Sequence, residues 1–315
     1  MEDNKNLYKY MGPEIADKLL LPNGNCSLKF SYLKDYNDPF EFFLTIDYNQ
    51  GPEILAYYNE MISMVTQQPV TCFSKSPLIT PMWAHYASNS QGFLAEINEA
   101  AFDEWLKSKG SDPSFGDIDY RETPRDGMQG MLDRAYALSK PRHIGWLQQA
   151  IGSTAYYTKQ TCWSYEQERR LIVDEESIER INENFMLLYF PSSLITSLVV
   201  GSKASQDLKN KIKDISVSIG CNYYEKHIGK SSTTPFFLDS KCHTHIFDGK
   251  EIVLHNERCN SCKEPKTNTD SKICSWCSIN ESHEENAAHR NSFRMLAHAG
   301  ILEQYIANFR DIGRK

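Results

Sequence analysis

Along residues 1–228, apolar and polar positions trade places with a period that switches repeatedly between two and nearly four. A period of two marks a half-buried strand, and one near 3.6 an amphipathic helix. Leu7-Tyr-Lys-Tyr10, Cys26-Ser-Leu-Lys-Phe-Ser31, Val70-Thr-Cys-Phe-Ser74 and Gly92-Phe-Leu-Ala-Glu-Ile97 read as strands. Further strands are expected near 153–158 and 168–174, at Ile195-Thr-Ser-Leu-Val-Val200 and at Cys221-Asn-Tyr-Tyr224. Helices are expected over 13–20, 54–65, 128–151 and 207–219, and at Pro81-Met-Trp-Ala-His-Tyr-Ala87, where Pro suits a first turn. Residues 109–125, rich in Gly, Pro, Ser and Asp, read as an exposed excursion. The pattern predicts an α+β core over residues 1–228, a linker or extension over 229–255, and a C-terminal module over 256–315.

Composition narrows the setting. No apolar run approaches the roughly 18 residues that span a bilayer. The opening Met1-Glu-Asp-Asn-Lys-Asn resembles neither a signal nor a transit peptide. A cytoplasmic protein without a membrane partner is therefore expected. The net charge of −7 provides no global basic field for nucleic acid.

Nine cysteines divide into two sets. Cys26, Cys72, Cys162, Cys221 and Cys242 are scattered and read as inert thiols. Cys259-x2-Cys262 and Cys274-x2-Cys277 are paired, and two such pairs converge on a tetrahedral Zn²⁺ site. Four thiolates leave no open position for a catalytic water, so the zinc ribbon is read as structural. Its polar intervening segment lacks a core of its own, so the metal would supply folding energy. Behind it, Phe293, Leu296, Leu302, Tyr305, Ile306 and Phe309 follow near-helical spacing, with Gly300 as a break. That helix would pack on the ribbon or the core. Alternatively, with Lys263, Lys266, Lys272, Arg290 and Arg294, it would meet a partner or nucleic acid, although residues 259–315 hold 8 basic against 7 acidic side chains.

Chemical content in the core concentrates in Leu7-Tyr-Lys-Tyr10, Asn37-Asp-Pro-Phe-Glu41, Cys72-Phe-Ser-Lys75 with Met82-Trp-Ala-His-Tyr86, and Trp163-Ser-Tyr-Glu-Gln-Glu-Arg-Arg-Leu-Ile-Val173. If 166–172 is a strand, Glu166, Glu168 and Arg170 share one face. Two readings stand there: a carboxylate pair for oxocarbenium chemistry, or a solvent-facing set of ion pairs with Arg169 and Arg170. Over residues 7–225 these motifs resemble a widespread bacterial family with some members in phage-defence or abortive-infection loci.

Their order is also similar, remotely, to the ADP-ribosyltransferase fold, whose members split the nicotinamide–ribose bond of NAD. That resemblance implies a split mixed β-sheet with flanking helices. It implies a first strand at Leu7-Tyr-Lys-Tyr10 and a nicotinamide unit running from Phe73-Ser-Lys75 to His85-Tyr86. It also implies a catalytic strand opening on Glu166-x-Glu168. Glu168 would then hold the ribose and Glu166 would steer the acceptor, while Lys9, Tyr10, Ser74, His85 and Tyr86 would line the NAD site. The usual His or Arg of the first strand is absent, leaving Lys9 or Tyr10 in its place. An NAD-consuming toxin is implied, with RNA as acceptor and an antitoxin as partner. The competing expectations are a Mg²⁺ nuclease using Asp38, Glu41, Glu166 and Glu168, and a non-enzymatic sensor that binds a partner through its ribbon.

Overall fold

The computed structural model describes residues 6–36, 45–182, 185–266 and 271–312. The Asn37-Asp-Pro-Phe-Glu41 motif, with Asp38 and Glu41, lies outside the described residues. Two compact units emerge: Met1–Ile228 with Thr234–Leu254, and Gly229–Thr233 with His255–Lys315.

The first unit opens with β1 (Asn6–Met11), a 3₁₀ turn, α1 (Ala16–Leu19), β2 (Asn25–Phe30), α2 (Pro52–Ser63), β3 (Val70–Ser74) and α3 (Thr80–His85). It continues with β4 (Phe93–Asn98), α4 (Glu99–Ser108), β5 (Ser114–Asp117), β6 (Asp119–Arg121), α5 (Met128–Leu138), α6 (Pro141–Tyr157) and β7 (Thr158–Gln160). After a 3₁₀ turn over Thr161–Glu166 come β8 (Glu168–Ile172), β9 (Glu179–Asn182), β10 (Phe185–Pro191), β11 (Ile195–Val200), α7 (Gln206–Ile219) and β12 (Asn222–His227). The unit ends with β13 (Phe236–Asp239), β14 (Thr244–Phe247) and β15 (Ile252–Leu254). The second unit carries α8 (Glu281–His289), α9 (Ser292–His298) and α10 (Leu302–Ile312).

Ten strands form one mixed sheet in the order β15-β14-β13-β12-β11-β4-β1-β3-β8-β5. Its parallel pair is β11 with β12, which requires a crossover, and α7 supplies it. Leu208, Ile212 and Ser216 form that helix's buried stripe at i, i+4 and i+8. Ser205 caps its start, and Gly220, in the left-handed region, ends it.

Near the middle of the sheet the ladder almost breaks. β1 pairs with β4 along its whole length, but with β3 only through Tyr8↔Ser74. The faces of the sheet carry separate cores. Leu7, Met11, Phe73 and Leu171 pack with Phe102, Leu106, Leu208 and Ile212 on one side. Tyr8, Tyr10, Leu94 and Val199 pack with Met82 and Trp83 on the other.

Several expectations are corrected. The strand expected near 153–158 is the end of α6, because Leu147, Ile151, Thr154 and Ala155 continue a buried helical stripe. The strand that follows starts at Thr158. Residues 229–255, expected as linker or extension, contain β13–β15, and β13 pairs directly with β12. The excursion at 109–125 contains β5, which pairs with β8. The C-terminal helix is three helices, with Gly300 (φ 72°) between α9 and α10. Among the described residues no helix is long and apolar enough to cross a membrane.

Candidate active site

β8 lies between β3 and β5, and all five of its residues are buried. Register sets its neighbours: Ser74 faces Glu168 and Cys72 faces Arg170 across β3. Glu166 is not in the strand. It ends the 3₁₀ turn, and Gln167 follows in the left-handed region at φ 46°. That reversal directs the Glu166 carbonyl to Ser74 Oγ, which donates to it at 2.7 Å. Lys75 N donates to the Gln167 carbonyl at 3.1 Å.

The two carboxylates nevertheless meet, through a cation. Lys159 Nζ donates to Glu166 Oε2 at 2.7 Å and to Glu168 Oε2 at 3.1 Å. Arg170 Nε donates to Glu168 Oε1 at 2.7 Å, and its Nη1 donates to the Tyr156 carbonyl at 2.9 Å. Tyr86 Oη donates to Glu166 Oε1 at 2.6 Å. The Glu168 amide donates to Tyr120 Oη at 2.8 Å. The parallel β6–β7 pair, with Tyr120 opposite Lys159, delivers both of these groups.

Burial and charge drive the two glutamates apart. For Glu168 burial raises the carboxyl's pKa, but Arg170 and then Lys159 outweigh it and hold the group at about 2. For Glu166 burial prevails over Lys159 and Tyr86, and the carboxyl titrates above its ordinary range. Lys159 is held above its usual value because Glu168 and Glu166 overcome burial. A permanent anion thus sits beside a carboxyl disposed to take up a proton, the division of labour that acid–base chemistry uses. Burial pushes the neighbouring Cys72 thiol up to about 12, so it stays protonated.

Beside Glu166 a row of rings runs Tyr86, His85, Tyr165, Trp163, with successive centroids 6.5, 6.4 and 6.2 Å apart. Lys159 Nζ lies 4.7 Å from the Trp163 ring centre. Tyr86, Tyr165 and Trp163 are half-buried and His85 is exposed. Such a surface offers planar faces to a planar ligand. α3 fixes its first two members, because Met82 and Trp83 are buried and Trp83 Nε1 donates to the Pro77 carbonyl at 2.8 Å.

Of the residues singled out in the sequence, Glu166, Glu168, Ser74 and Tyr86 come together. His85 joins the ring row without bonding to either carboxylate. Tyr10 shares the sheet face of Ser74 and Glu168 by alternation from Tyr8. Its Oη donates to the Ser76 carbonyl at 2.8 Å and its ring packs on Trp83. Lys9 turns to the opposite face, where Nζ donates to Thr71 Oγ1 and the Cys72 carbonyl, both at 2.8 Å. The picture of a solvent-facing Glu–Arg strand is corrected: Arg170 is fully buried on Glu168, and Arg169 pairs with Glu99 and Asp117. Lys159 and Tyr120 lie outside the segments singled out in the sequence, and Tyr165 lies inside one but without an assigned role. Lys159 lies seven residues before Glu166, a separation that no strand or helix period flags.

In the second unit the Sγ atoms of Cys259, Cys262, Cys274 and Cys277 all lie within 4.8 Å of one another. Cys262 and Cys274 are 3.7 Å apart. Thiolates about 2.3 Å from a tetrahedral Zn²⁺ would be separated by about 3.8 Å, so the four residues fit that ion. The Cys274 amide donates to Cys259 Sγ at 3.2 Å, supporting the site from outside. Among the described residues no other group of three or more His, Cys, Asp or Glu side chains is arranged to hold a metal. Glu166 and Glu168 are each paired with a buried cation, while Asp38 and Glu41, the other two residues of the nuclease reading, lie outside the described residues.

No protein-family model matches the chain, and no curated protein matches it. Among solved structures, Thermus sp. 2.9 DarT in complex with ADP-ribosylated ssDNA is similar over 69% of this chain and 90% of that one. At 12% identity and a TM-score of 0.29, this likeness stays below what establishes a common fold.

Proposed function

We propose that the first unit is an NAD-consuming ADP-ribosyltransferase that modifies nucleic acid, RNA foremost. The observation that carries this reading is the Glu166–Lys159–Glu168–Arg170 cluster, which opens through Tyr86 onto a row of aromatic rings. Breaking the nicotinamide–ribose bond releases neutral nicotinamide with the bonding electron pair and leaves a cationic ribose C1′. The acceptor then bonds to C1′ and gives up a proton. A rigid anion and a proton-accepting carboxyl, beside flat surfaces for the leaving ring, meet those needs.

Within this proposal Glu166 takes the role facing the ligand. A substrate hydroxyl can replace half-buried Tyr86 at Oε1, and the raised affinity of Glu166 for a proton suits it to receive the acceptor's. Glu168, with both oxygens held by buried cations, fixes the charge behind it. Ser74 and Tyr86 position Glu166, and His85 extends the stacking surface. In the second unit Cys259, Cys262, Cys274 and Cys277 hold a structural Zn²⁺. A toxin of this kind, restrained by an antitoxin, suits the phage-defence setting that the motif resemblance implies.

Incubation with NAD labelled in its ADP-ribose half, together with RNA, single-stranded DNA or protein extract, tests the reading. Label is expected on RNA, and Glu166→Gln is expected to cut transfer by roughly 100-fold or more while keeping the fold, since Gln mimics the protonated carboxyl. Unchanged transfer by Glu166→Gln, or no transfer to any acceptor, would sink it.

A further inference from the structure

Trp276, between the zinc-binding Cys274 and Cys277, is 51% exposed on the ribbon, and Ile273 and Ile279 beside it are 36% and 46% exposed. Lys230 Nζ lies 5.7 Å from the Trp276 ring centre. That lysine is fixed to the ribbon by its backbone. Buried Glu264 accepts the amides of Lys230 at 3.1 Å and Ser231 at 2.7 Å. Asn260 links Lys263 and Lys272: Lys263 Nζ donates to its carbonyl at 2.6 Å, and its amide donates to the Lys272 carbonyl at 2.9 Å. Among the described residues of the ribbon the acidic side chains are Glu257 and Glu264, and Glu264 is already engaged with backbone amides.

We propose that this surface binds a single strand of nucleic acid, one base stacking on Trp276 and the phosphates meeting Lys230, Lys263 and Lys272. Lysine is depleted where proteins dock on proteins, whereas an exposed indole with Lys230 at its face and two further lysines on the same ribbon has the two parts that a single strand requires, a stacking platform and cationic groups. A duplex keeps its base faces stacked and cannot use the indole. The assignment gives the acceptor class proposed above a place to bind, and it rests on that reading for its purpose only.

The test uses the full zinc-loaded chain without NAD, with fluorescently labelled oligo(U), oligo(dT) and a duplex followed by anisotropy. Single strands are expected to bind more tightly than the duplex. A preference for oligo(U) over oligo(dT) would identify RNA as the source, and the reverse DNA; either supports the surface. Trp276→Ala should weaken binding roughly ten-fold or more, Trp276→Phe should recover most of it, and Trp276→Leu, equal in apolar character but lacking the ring, should not. Lys230→Ala and Lys272→Ala should each lower the slope of log affinity against log salt by about 0.7. Undiminished binding by Trp276→Ala and Trp276→Leu with zinc content retained would overturn the proposal. So would self-association through Trp276 in place of strand binding. Strand binding that persists in a chain without transferase activity would fail the enzyme reading and leave this surface standing.

Discussion

Lys159 serves two carboxylates at once, and Arg170 takes the far side of the second. Such a cluster is held together by completeness. Removing one partner strands a charge away from water, so Arg170→Ala is expected to cost about 3–5 kcal/mol in chemical denaturation. The acid limb of stability follows from the same contacts. The folded value of Glu168 lies below its ordinary 4.5, so its contribution is fully present above about 4.5 and drains away as pH falls through about 2. Glu166 has the opposite sign: its raised value makes ionisation a cost that grows as pH climbs past 4.5. Melting temperature against pH should therefore fall below pH 4.5 in the wild type, and the fall should be shallower in Glu168→Gln. An equally steep fall in that variant would dismiss Glu168 as its source.

At the scale of elements, the sequence revealed strands that alternate and helices that keep a stripe. β3 falls on Val70–Ser74 and β11 on Ile195–Val200 as the pattern predicts, and α7 begins within a residue of expectation. The strands β13–β15 were illegible because they are short and half-buried, and they owe their state to pairing with β12 and with each other. Glu166 was misplaced by one element, since the left-handed Gln167 carries no sequence signal of the kind glycine gives. The resemblance placed Lys9 in the NAD site, and in the structure its ammonium ties β1 to Thr71 and the Cys72 carbonyl of β3. Lys9→Met should then destabilise the fold by about 2 kcal/mol and, under the proposed transferase activity, leave the KM for NAD unchanged. A KM raised several-fold at unaltered stability would restore Lys9 to the NAD site.

The whole molecule combines a unit that a core can hold with one that a core cannot. Exposed Phe293, Met295, Tyr305 and Phe309 show how little the second unit buries, so its order is expected to depend on a metal held by the four cysteines. One equivalent of zinc per chain is expected by elemental analysis. Its removal with a chelator should raise amide exchange over residues 256–279 and leave β4 and β11 protected. Retained protection in the ribbon after complete metal loss would contradict this dependence.

The single rung between β1 and β3 has a consequence for how the chain reaches its native state. Each panel of the sheet can complete its own ladder first, and until Tyr8 meets Ser74 β1 and β3 are two open strand edges in addition to β15 and β5. Open edges recruit other chains. Lys9 lies at that seam, and its ammonium donates to the Thr71 hydroxyl and the Cys72 carbonyl of β3, contacts that a foreign strand would have to reproduce. The side chain that closes the seam thus also favours the strand of its own chain as the partner there.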